Sequence, residues 1–165
     1  MMDRTTTNAE RADSGDRLAA LFIERAAAAG EVLTHGDRAQ IGRAMAEAYC
    51  EGAEVPPGRE WRHLALMIRD LYHYADGLIS PAGLIDTALS ELHATVNVVP
   101  LLCTIGEEGQ PALIAGAVTA VLAHAETGGI GIDLLTDIAF TTWAEEVEEE
   151  RFIRAIAAHA ARVTG

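Results

Sequence analysis

An all-α fold is the class this sequence predicts, and three observations predict it. Half of the 165 residues are apolar, and they come mostly as Ala, Leu, Ile and Val with few aromatics, a composition led by the strongest helix former. Apolar residues recur three and four apart through most of the chain, the spacing of one helical face. Glycine and proline fall mainly between these segments, where they end helices. A chain of this length suits one domain able to bury about 70% of its unfolded surface.

The first residues, Met1 to Asp16, are charged or carry Thr, Asn and Ser. They lack the apolar stretch of a secretory signal, so residues 1–16 read as a mobile tail and 17–165 as a single helical domain. From Arg17 to Ala29, Leu18, Leu21, Phe22 and Arg25 define a first helix, with Gly30 as its cap. Asp37 and Gln40 have capping-box spacing for a second helix striped by Ile41, Met45, Ala48 and Tyr49. The Val55-Pro56-Pro57-Gly58 stretch must then turn, because proline lacks the amide a helix needs. Arg59 to Asp76 gives a third helix with Trp61, Leu64, Ile68, Leu71 and Ala75 on one face.

Ser80-Pro81 looks like an N-cap followed by proline at the first helical position, opening a fourth helix over Leu84 to Leu92. Residues 96–105, with Pro100 among β-branched neighbours, read equally as an extended connector or a broken helix. Pro111 opens a fifth helix, apolar nearly all round, the pattern of a surrounded helix. Its Ala112, Gly116 and Ala120 leave a groove for close approach of another helix, and the next step is His124. Leu134, Leu135 and Ile138 suggest a short sixth helix, and Thr142 with Glu145 has capping-box spacing for a last one. The expected architecture is a compact bundle of five to seven helices, open to pairing of two chains. No repeat of solenoid length emerges from these segments.

Composition excludes several functions. The formal charge of −13 opposes phosphate backbones, so nucleic acid is not an expected partner; only Arg38 with Arg43 offers a local basic pair. The longest apolar run, Pro111 to Ala123, is too short to span a bilayer, which excludes a membrane segment there. All twelve basic side chains are Arg, which removes P-loop and Schiff-base chemistry, since both need Lys. None of Ser14, Ser80 and Ser90 sits in a nucleophile elbow. The Gly128-Gly129-Ile130-Gly131 stretch lacks the third glycine of a dinucleotide fingerprint. Cys50 and Cys103 have neither disulfide-framework nor zinc-site spacing and read as buried small hydrophobes in a reducing cytoplasm.

Candidate chemistry is sparse. Glu60 and His63, three apart on the third helix, have the spacing with which carboxylate-bridged metal bundles hold an ion, and they are the metal-ligand candidates. A second copy of the motif is missing unless a symmetric dimer supplies it. His63, Asp70 and His73 fall opposite Leu64, Ile68 and Trp61 on the wheel, so the expected setting is water. In the acidic run from Glu145 to Glu150, Glu145 and Glu149 extend the stripe of Phe152, Ile153, Ile156 and Ala160, while Trp143 and Val147 lie opposite. Either this helix projects past the bundle, the favoured reading, or both carboxylates enter a partly buried site. Glu150 and Arg154 suit a surface pair. His124 reads chiefly as a dipole partner at a helix end, and Glu91 with His93 has the wrong helical spacing to share a ligand.

The function these residues favour is non-enzymatic protein interaction through self-association, with a basic protein as a further partner of the acidic face. The alternative is a bundle enclosing a metal or small-molecule pocket, lined by Glu60 and His63 or by Glu145, Glu149 and His124. Catalytic residues and cofactor remain unassigned.

Overall fold

The computed structural model describes residues 6–51, 55–98 and 110–164. Their order is α1 (Asn8–Ala29), β1 (Val32–Leu33), α2 (His35–Cys50), α3 (Glu60–Tyr74), α4 (Pro81–Glu91), β2 (Val96–Asn97), α5 (Gln110–Thr127) and α6 (Ile132–Thr164). Six helices among the described residues make an all-α bundle, as the spacing predicts, and no helix there is long and apolar enough to cross a membrane.

Three boundaries differ from the sequence reading, two because of capping chemistry and one because an expected cap is absent. The helical domain begins well before Arg17: the Thr7 side chain accepts the Glu10 amide and Glu10 answers to the Thr7 amide, so residues 8–16 are helix and the mobile-tail reading fails there. The second helix is capped by Thr34, with Asp37 as the reciprocating residue and not the cap itself. Asp37 accepts the Thr34 amide at 2.9 Å, which holds its carboxyl below the ordinary range. The expected sixth and seventh helices are one. Thr142 donates to the Ile138 carbonyl at 2.8 Å, a bond made inside a helix, and no proline or glycine interrupts α6. Ser80 and Pro81 cap α4 as expected.

The undecided stretch from residue 96 begins extended. Val32 pairs with Asn97 and Leu33 with Val96 in an antiparallel ribbon, and the Val98 amide adds a bond to the Glu31 carbonyl at 2.8 Å. The remainder of that stretch, with Pro100 and Cys103, lies outside the described residues.

Every residue of α5 from Leu113 to Ala123 is buried. This follows from its apolar circumference, because a helix without a polar face must be covered on all sides. Helices α2 and α4 pack mainly on α5, α1 packs on α3, and α3 also receives α6. The small-residue groove of α5 is filled from within: a Cβ on Gly116 would stand 2.7 Å from the Phe22 ring of α1. On the α2 side the backbones touch at Gly42, where a Cβ would run into the Ala120 carbonyl oxygen.

That crossing leaves no flexible atom to yield. Gly42→Ala is expected to lower stability by about 1–3 kcal/mol or more through overpacking, measured as the urea midpoint. An unchanged midpoint would show that α2 and α5 do not approach this closely.

Candidate functional site

The polar residues of α3 do not face water. Arg69, Asp70 and His73 are all buried, and Glu146 of α6 is 6% exposed among them. The wheel reading assumed a single covered face, whereas α3 packs against α1, α2, α5 and α6. Asp70 accepts from Arg69 Nε at 2.8 Å and from the Tyr49 hydroxyl at 3.0 Å. Glu146 Oε1 accepts from Arg69 Nη1 at 3.1 Å and lies 3.2 Å from Arg11 Nε of α1. Its other oxygen meets His73 Nε2 at 2.8 Å.

Two guanidinium groups thus face two carboxylates, and the group is close to neutral without a ligand. Burial works against the Arg69 charge, but Asp70 and Glu146 together outweigh it and raise its pKa. Burial, and then the Asp70 charge, push the Tyr49 hydroxyl up, so it stays a donor. Both Glu146 oxygens are engaged. The arrangement is a clasp joining α1, α3 and α6, and it leaves no free base or nucleophile of its own.

Outside the clasp opens a cleft of about 910 Å³ between α1 and α3. Arg11 and Arg69 form its floor, while Arg17, Arg59, Arg62 and His63 line it further out. Five of the chain's arginines therefore converge on one cleft of a protein with net charge −13. Arg17, Arg59 and Arg62 form no side-chain ion pair or hydrogen bond within the described chain. Glu10 and Asp13 are the further acidic residues of the lining.

The sequence candidates are dispersed. His63 lines this cleft, and Glu60 stands exposed at the first turn of α3. Among the described residues the group able to hold a metal is a different one: His35, His93 and Glu126, whose ligand atoms lie within 4.8 Å of one another. Helix spacing could not reveal it, because its members come from the start of α2, the turn after α4 and the end of α5. The one local signal is the short extended stretches beside His35 and His93, which pair.

Glu145 and Glu149 are exposed, and the buried carboxylate of that run is Glu146. His124 sits half-buried on α5; burial, then nearby Arg43, lower its pKa and favour the neutral ring. The Arg38 and Arg43 pair is no basic patch. Arg38 is buried and donates to the Leu92 and Ala94 carbonyls, while Arg43 bonds Glu47. Cys50 is half-buried, and burial raises its thiol pKa.

Two features that left room for a partner, the α5 groove and Trp143, make contacts within the chain. Phe22 occupies the small-residue groove, and Trp143 packs against Tyr72, His73 and Phe140. The surplus apolar surface lies elsewhere. Residues 151–164 of α6 are exposed throughout, with Phe152 at 67% and Val163 at 71% and Ile153 and Ile156 also open. Glu150 and Arg154 pair there as expected.

The fold and its polar cleft thus define an all-α bundle with a charge-clasped interior. Compared with protein-family models, curated proteins and solved structures, the chain matches none.

Glu146→Gln leaves two arginines facing a single buried carboxylate and should cost about 3–5 kcal/mol. The Tyr72 hydroxyl, in contrast, is buried without a hydrogen-bond partner among the described residues, so Tyr72→Phe should be neutral or stabilising by about 1 kcal/mol. Equal losses in thermal melts of the two variants would contradict this assignment of the polar groups.

Proposed function

We propose that the protein acts by self-association, through the part of α6 that extends beyond the bundle. One observation carries this reading: residues 151–164 touch little of the chain yet keep a continuous apolar stripe. That segment is about four turns and 20 Å long. Isolated helices of this length are marginal in water, and a stripe of Phe152, Ile153, Ile156 and Val163 in water favours a partner.

A second copy of the same segment is the occupant best matched to the stripe. An antiparallel two-fold through Ile156 sets Phe152 of one copy against Ala160 of the other, a large side chain against a small one. It also brings Arg162 toward Glu148 of the second copy on one flank, opposite charges at the rim. Among the described residues of its own chain the Arg162 guanidinium donates to the Ala158 carbonyl alone. Glu149 lies within the stripe on the bundle side and limits pairing to the free end. Such an interface is small, so a dimer that dissociates on dilution is expected.

Sedimentation velocity across the micromolar range is expected to show a concentration-dependent dimer. Ile156→Glu, at a residue already in water, should leave a monomer with an unchanged core melt. A wild-type chain that stays strictly monomeric overturns the proposal.

A second reading rests on the arginine cleft, which suits a small anion with two or more carboxylate or phosphate groups. Arg17, Arg59 and Arg62 supply forked donors without partners of their own among the described residues. A polyanion such as citrate or pyrophosphate should raise the melting temperature of the wild type and not that of an Arg59→Glu, Arg62→Glu variant. Equal responses of the two proteins would remove this reading.

A further inference from the structure

The geometry points to a divalent transition-metal site of the zinc class formed by His35, His93 and Glu126. His93 Nε2 lies 2.8 Å and His35 Nε2 3.3 Å from the same carboxylate oxygen, Glu126 Oε2. The two imidazole rings stand 5.0 Å apart between centroids. Ligand atoms bound tetrahedrally at about 2.0–2.1 Å from zinc are separated by about 3.3 Å. Small side-chain adjustments therefore suffice to admit an ion among the three.

Orientation supports metal ligation beyond proximity. The opposite nitrogen of His35, Nδ1, is 3.0 Å from the Leu92 carbonyl oxygen. A carbonyl oxygen only accepts, so Nδ1 donates this bond, and in the neutral ring the lone pair is then on Nε2, the atom facing Glu126. A histidine held this way by a backbone carbonyl is the usual outer support of a metal ligand. The Leu92 carbonyl is itself held by buried Arg38 at 3.2 Å, and Arg38 also reaches the Ala94 carbonyl. The residues on both sides of His93 are thus fixed from below.

Two imidazoles and one carboxylate select late first-row ions over calcium or magnesium, which prefer all-oxygen shells. Three protein ligands leave a fourth position for water or another donor, and His93 is 66% exposed at its side chain, so that position is reachable from solvent. The site is separate from the arginine cleft and from the free end of α6.

Isothermal titration of zinc into the full chain, purified without chelator or metal affinity, tests this directly. One ion per chain is expected, with cobalt giving a tetrahedral visible spectrum at the same stoichiometry. His93→Ala and Glu126→Gln alter accessible side chains and should retain the wild-type melt while losing at least about tenfold in affinity. His63→Ala should bind as the wild type does. Absence of uptake, or equal affinity in wild type and both ligand variants, overturns the site, and loss in His63→Ala alone would transfer it to the Glu60 and His63 motif.

Discussion

Helix α5 offers water almost nothing to hydrate, and the rest of the bundle is arranged around that constraint. A helix buried from Leu113 to Ala123 needs neighbours on every side, and α1, α2, α3 and α4 supply them. Close approach is possible because the contacts fall on small residues. Phe22 enters where Gly116 has no side chain, and α2 lies backbone to backbone on α5 at Gly42. Burial of this apolar surface, at roughly 25 cal/mol per Å², is the driving force for the assembly. It specifies little about helices that touch α5 only at their margins.

Helix α6 is the extreme case. Only Leu135, Ala139 and Glu146 are buried along its length, so apolar packing alone would fix its register weakly. Glu146 supplies the missing definition. Sliding α6 by one residue would carry that carboxylate away from Arg69, Arg11 and His73 and leave buried charge uncompensated. A buried ionic group is weak evidence for net stability, and a register role is its best-attested use. Beyond Glu150 no such anchor exists among the described residues, and the helix leaves the bundle.

The same distinction explains what the sequence could tell. Period-3.6 spacing located the helices, and α5 was recognisable as central from its lack of a polar side. Projection of the last helix was legible too, because Phe152, Ile153 and Ile156 share a face that Trp143 does not. Asp70 and His73 were misplaced because a wheel separates apolar from polar and cannot register that polar residues are buried when they satisfy one another. Glu146 was hidden among five equivalent glutamates, since its identity as the buried one depends on Arg69 and Arg11 from other helices. The Thr34 and Thr7 caps were local and available, but the more prominent Asp37 and the charged start of the chain drew the boundaries elsewhere.

The histidine cluster shows how a weak element can define geometry when another feature holds it. A two-residue ribbon such as Val32–Leu33 with Val96–Asn97 has little stability alone, yet it brings the start of α2, with His35, beside the turn that carries His93. The stronger tie is Arg38, buried at 2% exposure under the turn that carries His93. Burial lowers the Arg38 pKa, with Glu91 opposing, and raises that of Glu91, with Arg38 opposing. In both groups the cost of burial exceeds the pull of the opposite charge, so the charged Arg38 is held there against a desolvation cost. What that cost secures is the fixed backbone around His93, through hydrogen bonds from a charged donor that are stronger than neutral ones. The turn is therefore organised before any ligand arrives, and its His93, with His35 of α2, needs little reordering to share one.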